Sequence, residues 1–319
     1  MGIKKFLLAA LSCAAALTVP LSACSESSGL IWGESSRNGN DYYYLSGEIE
    51  ADEYGRYIIP GSRRGKPVRV TRELTLKPGG DTLIFDEGVF ELDWEAFVGA
   101  DVKTVVLPST LESISQSAFS SSAVENVVIP EGVKFIEYFA FDNTPVQSLV
   151  LPASLERVDM DAFCRTYNLK SVIFKGLKGL LSSWAFENSA VQYVSFPETE
   201  FEGLSYRAFE GCNVRYVDLG GCRVIGSEAF ADCDFLESIT LPATLEHIRC
   251  DSFVACDNLG KIVFEDTEDW YAIRFIGSTQ EGEYEVLSPV DFSDSVKNVE
   301  LLSEGEYDYM HLPDYIGGE

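Results

Sequence analysis

Eight phenylalanines fall at near-constant steps along this 319-residue chain. Phe97, Phe119, Phe141, Phe163, Phe186, Phe209, Phe230 and Phe253 are separated by 22, 22, 22, 23, 23, 21 and 23 residues. All but the last follow alanine; Phe253 follows Ser252. A unit this short cannot bury an apolar face by itself and does so only against its neighbours. The period therefore predicts a right-handed solenoid of 22–23-residue repeats, mainly parallel β, with short turns or helical segments on the back.

Each unit carries one short β-branched triplet. The series starts at Leu83-Ile84-Phe85 and continues through Val105–Leu107, Val127–Ile129, Leu149–Leu151, Val172–Phe174, Val194–Phe196, Val217–Leu219, Ile239–Leu241 and Ile262–Phe264. Strands repeated at a constant step in one coil must stack in parallel. Their first and third residues point inward and the middle residue outward. Pro108, Pro130, Pro152, Pro197 and Pro242 follow the triplet and end the strand, because proline cannot donate to a ladder. A second apolar pair follows (Leu111/Ile114, Val133/Ile136, Leu155/Val158, Phe201/Leu204, Leu245/Ile248), and Ala-Phe then carries the chain round the back. Stacked coils should set the phenylalanines about 4.8 Å apart as a buried spine.

The flanks differ. Residues 1–23 read as an export signal, with Lys4-Lys5 followed by the apolar stretch Phe6 to Val19. The next four residues, Leu21-Ser22-Ala23-Cys24, resemble the lipobox of bacterial lipoproteins. That resemblance implies cleavage before Cys24 and its diacylation, and two chains suffice for stable anchoring. An ordinary secretory signal cut after Ala23 is the alternative. Residues 24–40, rich in Ser, Gly and Asn, read as a flexible tether. Residues 41–82 read as an N-terminal β cap, 83–264 as the repeats, and 265–319 as a C-terminal cap. In that last part Thr267 to Ile276 reads as a short helix with Thr267 as N-cap, Gly277 to Asp294 as a loop, and Ser295–Leu301 as one more strand because it echoes Ala123–Ile129.

The unit φ-x-φ-P-x-x-L-x-x-I-x-x-x-A-F-x-x-C resembles the BspA-type leucine-rich repeat of bacterial surface proteins, with Val127–Phe141 and Ile239–Phe253 as good copies. The likeness runs from about Tyr57 to Ile273. It includes the lead-in Ile59-Pro60 with Gly65-Lys66-Pro67-Val68, and the closing stretch Thr267-Glu268-Asp269-Trp270-Tyr271-Ala272-Ile273. Lys175 and Gly220 stand where the proline is expected, and Cys222 stands at a leucine position, so those coils should be less regular. The resemblance implies a leucine-rich-repeat solenoid displayed on the cell surface, in a family implicated in adhesion to host or matrix proteins and to other microbes. It implies a binding class without a ligand.

Composition narrows the function further. Net charge is −27, or −29 once Lys4 and Lys5 leave with the signal, which disfavours nucleic acid and anionic lipid as partners. Membrane contact is expected only through Cys24, and a monomer is expected. Arg63, Arg64, Lys66, Arg69 and Arg72 form the one basic cluster, either a site for an anionic ligand or a solvated loop offsetting nearby acid. Cys212, Cys233 and Cys256 each lie three residues after the repeat phenylalanine, where earlier coils carry Ser122, Thr144, Thr166 and Ser189. This is a position for small polar residues, and reduced structural thiols are expected there. Cys222 should be buried, and Cys164 and Cys250 nearer the surface. Paired metal-ligand spacings are absent, so no metal and no cofactor are expected. His247 and His311 are the only histidines, and no nucleophile, P-loop or zincin motif is present, so the chain is not expected to be an enzyme.

The candidate binding face is the outward row of the strand ladder. Ile84, Val106, Val128, Val150 and Ile173 make an apolar stripe about 20 Å long at strand spacing. Thr82, Thr104, Asn126, Ser148 and Ser171 edge it, and the edge continues into Tyr193 and Tyr216. Such a stripe marks a protein-binding surface, or serves only strand propensity. The two tyrosines could instead stack on a sugar, making the chain a carbohydrate-binding module, and a spacer without ligand is the third reading.

Overall fold

The computed structural model describes residues 29–197, 201–249, 251–276, 283–303 and 307–312. The signal segment, Cys24 and Cys250 lie outside them. The described chain coils into a parallel β-solenoid of about nine turns, about 23 residues each.

The triplets form the front ladder as the β-branched pattern requires. Ser148–Leu151 pairs in parallel with Ser171–Phe174, that strand with Tyr193–Ser195, and that in turn with Tyr216–Asp218, all residue for residue. First and third residues are buried in nearly every coil (Leu149 and Leu151, Val172 and Phe174), while the middle ones, Ile84 apart, are half-buried or exposed. The ladder starts one coil earlier than the sequence suggests. Arg56–Ile59, placed in the cap, pairs in parallel with Thr82–Phe85 and sets Ile58 opposite Ile84. The front pairing is interrupted twice, between Val128 and Ser148 and between Asp218 and Ser238.

The second apolar pairs build a side ladder. Ser113–Ile114, Phe135–Ile136 and Arg157–Val158 pair in parallel, as do Gly179–Leu181, Phe201–Leu204, Val224–Ile225 and His247–Ile248. Irregularity is found here, between Gly179 and Leu180. At Lys175 the front ladder keeps its register on both sides, whereas after the strand that precedes Gly220 it is interrupted. Lys175, in place of proline, supplies an N–H that donates to the Leu151 carbonyl at 3.0 Å. Gly220 takes φ +51°, and a Cβ there would lie 2.2 Å from the Pro197 carbonyl oxygen, so the second departure is tied to glycine.

The back turns carry a third ladder. In coil after coil the spine phenylalanine donates its N–H to the next coil's alanine carbonyl: Phe119 to Ala140 at 2.9 Å, Phe141 to Ala162 at 2.8 Å, Phe186 to Ala208 at 2.9 Å. Inside, consecutive rings stack nearly parallel from Phe97 to Phe253, with centroids 5.0–5.6 Å apart. A large side chain fully buried contributes about 1.5–3 kcal/mol, and stacked pairs add about 0.5–1.5 kcal/mol each. The polar row beside the spine is present as expected. Thr144 and Thr166 donate to the carbonyls of their own Phe141 and Phe163, at 2.7 and 2.9 Å. Cys212, Cys233 and Cys256 reach one coil back, to the carbonyls of Phe186, Phe209 and Phe230.

The ends depart from the sequence reading in four places. Leu30–Arg37, within the expected tether, is a strand antiparallel to Asn40–Ile49. Its turn is Asn38-Gly39, both with positive φ (55° and 80°), the pair that matches the twist of a two-residue hairpin. Trp270–Ile276, expected as a helix, is a strand paired antiparallel with Asp308–His311 and with Glu283–Pro289. Asp269 takes φ 55°, which breaks a first helical turn, and Trp270 and Ala272 are buried with Tyr271 between them, a period of two. Glu283–Pro289 is therefore strand where a loop was expected. Conversely, Lys297–Ser303 is a helix (α1) and not a strand. Asp294 Oδ1 accepts the N–H groups of Val296 and Lys297 as its cap, and Asn298 and Leu302, four apart, face inward.

This helix takes the place of a further coil. Ile262 and Phe253 donate their N–H groups to the carbonyls of Ser295 and Leu302, at 2.8 and 3.2 Å. The Asn298 amide, 1% exposed, donates to the carbonyls of Ile262 and Phe292 at 3.0 and 2.9 Å. The Phe253 and Ile262 N–H groups and the Ile262 carbonyl of the last coil are thus paired without another repeat. No helix of the described residues is long and apolar enough to cross a membrane.

Candidate binding face of the strand ladder

Parallel pairing without slippage is what converts a repeated sequence position into a row on the surface. Thr82 lies opposite Thr104, which lies opposite Asn126; Ser148 lies opposite Ser171, then Tyr193, then Tyr216. The predicted stripe and its polar edge therefore fall into two in-register runs, Ile84 to Val128 and Val150 to Ile173. The stripe is not bare. Ile84 is 9% exposed, and Val106, Val128, Val150 and Ile173 are half-buried against one another. It also crosses the first interruption of the ladder, between Val128 and Val150.

The exposed rings lie further along. Tyr216 is 45% exposed, and Tyr193 beside it is half-buried. Phe235, which the sequence reading passed over, is 43% exposed next to the following strand, and the Arg215 guanidinium sits 4.7 Å over its ring. The signal for Phe235 was an apolar residue just before the buried Leu236, outside the repeat frame. A second exposed aromatic set sits at the back turns, with Tyr138 46% exposed and Trp94 covered on one side by Arg72 at 4.3 Å.

The basic cluster resolves into individual partnerships. Arg63 lies over the Trp32 and Tyr43 rings, Lys66 pairs with Asp41 at 3.2 Å, Arg69 with Asp93 and Glu91, and Arg72 with Trp94. Four of its five cations are therefore engaged with the N-terminal sheet or the first coil, and the cluster offers no focused charge.

The five described cysteines are free and buried. Cys164, expected near the surface, is buried because the back turn tucks its side chain beside Asp161 and Glu187. Their ligand atoms lie within 4.8 Å of one another. Burial first, then the Asp142 and Glu187 carboxylates, pushes the Cys164 thiol well above its ordinary value. Its Sγ donates to Glu187 Oε2 at 3.5 Å, a thiol–carboxylate contact. Burial likewise raises Cys212, Cys222 and Cys256 to about 12, which makes them inert packing groups. His247 is pushed down to about 4 by burial and by the neighbouring Arg249, and is neutral at physiological pH.

A face built from stacked rows on a rigid coil, with its thiols sealed inside, defines a repeat scaffold that presents a surface. The BspA type leucine rich repeat region matches the chain in six copies, over residues 90–213 and 180–278. The chain belongs to the BspA-type leucine-rich-repeat family. It is a repeat protein of the bacterial surface-protein type, a class that typically forms interaction scaffolds and is typically non-enzymatic.

Among solved structures, a leucine-rich cell surface protein from Faecalibacterium prausnitzii A2-165 is 15% identical with a TM-score of 0.34, covering 78% of this chain and 96% of that one. The T. pallidum leucine-rich-repeat protein is 20% identical with a TM-score of 0.48, covering 67% and 91%. The pneumococcal vaccine antigen PcpA is 13% identical with a TM-score of 0.33, covering 77% and 82%. No functionally curated protein matches the chain.

Proposed function

We propose that the chain is an exported lipoprotein, anchored through Cys24 and facing outward, that binds a macromolecular partner on its strand-ladder face and catalyses nothing. The observation that carries this reading is the register kept within each run of the front ladder, Thr82 to Asn126 and Ser148 to Tyr216, which gives a surface whose composition changes from coil to coil. The apolar half, Val106 to Ile173, suits a protein partner such as a host matrix or cell-surface protein. Half-buried β-branched residues edged by Thr, Asn and Ser offer apolar area with hydrogen-bonding groups beside it. The acidic body keeps this surface soluble and away from nucleic acid.

Two measurements on cells displaying the full chain test the reading. Cys24→Ala should abolish labelling by an alkyne fatty acid and release the protein from the membrane; retained label or retained anchoring contradicts the lipoprotein assignment. Val128→Lys with Val150→Lys should abolish adhesion to matrix protein while leaving thermal unfolding nearly unchanged. Undiminished adhesion would make the solenoid a spacer.

A further inference from the structure

The chain carries 51 acidic residues against 24 basic ones, yet one strip of its front face has a different character. At the position just before the polar edge of each strand, four successive coils carry Gln147, Lys170, Gln192 and Arg215. Backbone bonds hold this row in line: Lys170 N–H to the Gln147 carbonyl at 2.9 Å, Gln192 to Lys170 at 3.0 Å, Arg215 to Gln192 at 2.9 Å. Glu125 and Glu237 close the row at its two ends. Neither Lys170 nor Arg215 makes an ion pair among the described residues, and both are exposed. Beside the row stand the exposed rings of Tyr216 and Phe235, the latter under the Arg215 guanidinium.

We propose that this strip binds an extended anionic polysaccharide, a chain of carboxylated pyranoses, lying along the solenoid axis. Three features converge on that ligand. Lys170 and Arg215, outside any ion pair, supply donors for carboxylates at alternate coils, the Gln192 amide and the second N–H of Gln147, whose Nε2 also donates to Glu125 Oε2 at 3.3 Å, supply donors for hydroxyls, and the Tyr216 ring with the side of Phe235 not covered by Arg215 offers a face for the apolar side of a sugar. The strip is the place on an acidic surface where charge favours an anion. With a screening length of about 8 Å at physiological salt, Lys170 and Arg215 set the local charge over the middle of the row, and Glu125 and Glu237 limit the site to these coils. The third feature is the repeat distance. The coil step, about 4.8 Å, is close to the advance of one equatorially linked pyranose, whereas an extended peptide advances about 3.3 Å per residue and loses register within two coils. This site rests on the reading of the front face as the binding surface and adds a ligand class to it, separate from the apolar half.

The test is equilibrium binding of the full chain to polymannuronate, to β-1,4-mannan as its uncharged counterpart, and to polyglutamate. The wild-type chain should bind polymannuronate at least about tenfold more tightly than either control, with affinity falling as salt rises. Lys170→Glu and Arg215→Glu should each weaken it by about tenfold or more, the loss expected when a charge-assisted hydrogen bond is removed. Tyr216→Ala with Phe235→Ala should weaken it as well. If the charge reversals disturb folding, Lys170→Gln with Arg215→Gln reads the same loss. The proposal fails if wild type does not bind polymannuronate, if the cation variants bind it unchanged, or if mannan or polyglutamate binds equally well. Val128→Gln with Val150→Gln, which removes the apolar stripe without adding charge, should abolish matrix adhesion but leave polymannuronate binding intact, so failure of this site and failure of the protein-binding reading are distinguishable.

Discussion

In the back turns of Phe97 to Phe230 two residues adopt left-handed backbone, two before and two after the spine phenylalanine: Ser117 and Ser121 around Phe119, Phe139 and Asn143 around Phe141, Trp184 and Asn188 around Phe186. For Phe139 and Trp184 this costs roughly 1–2 kcal/mol each. The geometry is kept because these turns aim their N–H groups at the next coil, as Asn143 does at the Cys164 carbonyl at 2.9 Å, and drop the phenylalanine into the core. Phe141→Ala should therefore cost about 3–5 kcal/mol in urea unfolding, the usual cost of emptying a buried aromatic site; a loss under 1 kcal/mol would deny the spine its role.

Acid acts on other residues in two opposing ways. His247 has a folded value near 4 against 6.5 unfolded, so the unfolded chain takes up its proton first. Stability is then lost as pH falls from about 6.5 to 4, by up to about 3 kcal/mol. Burial raises Asp161 and Glu210, which lose their protons less readily when folded and so oppose that loss as pH falls. Unfolding free energies at pH 7, 5.5 and 4 should show a smaller decline in His247→Gln than in wild type; an equal decline would place the acid sensitivity elsewhere.

At the scale of elements, the caps do the work that repeats cannot do for themselves. Asn298→Ala would strand the Ile262 and Phe292 carbonyls and cost about 1–3 kcal/mol. Hydrogen exchange should then quicken at the amides of Phe253 and Ile262 while those of Phe141 and Phe163 keep their protection, because a solenoid loses stability coil by coil. Uniform loss of protection would mean the array unfolds as one unit.

The same division explains what could be read in advance. The front triplets, the spine and the small-polar row were legible because identical residues recur in identical surroundings. The ends were not, since each cap is used once. The echo of Ala123–Ile129 in Ser295–Leu301 suggested a strand, but Asp294 capping and the inward pair Asn298 and Leu302 favour a helix. Asn38-Gly39 was a legible hairpin signal submerged in Ser- and Gly-rich composition. Of the candidate face, the rows could be placed, but not the half-burial of the valines or the contact of Arg215 with Phe235, which depend on how deep the ladder's pleat sits and on the neighbouring coil.

At the scale of the whole molecule, the back turns hold the coils together and the front rows are the proposed ligand surface. Both sides expose aromatic rings, so exposure alone does not decide between them. Hydroxyl-radical footprinting of the displayed protein, before and after cells attach to their target surface, compares the two directly. The account predicts protection of Tyr193 and Tyr216 with no change at Tyr138; protection of Tyr138 with Tyr193 and Tyr216 unchanged would contradict it.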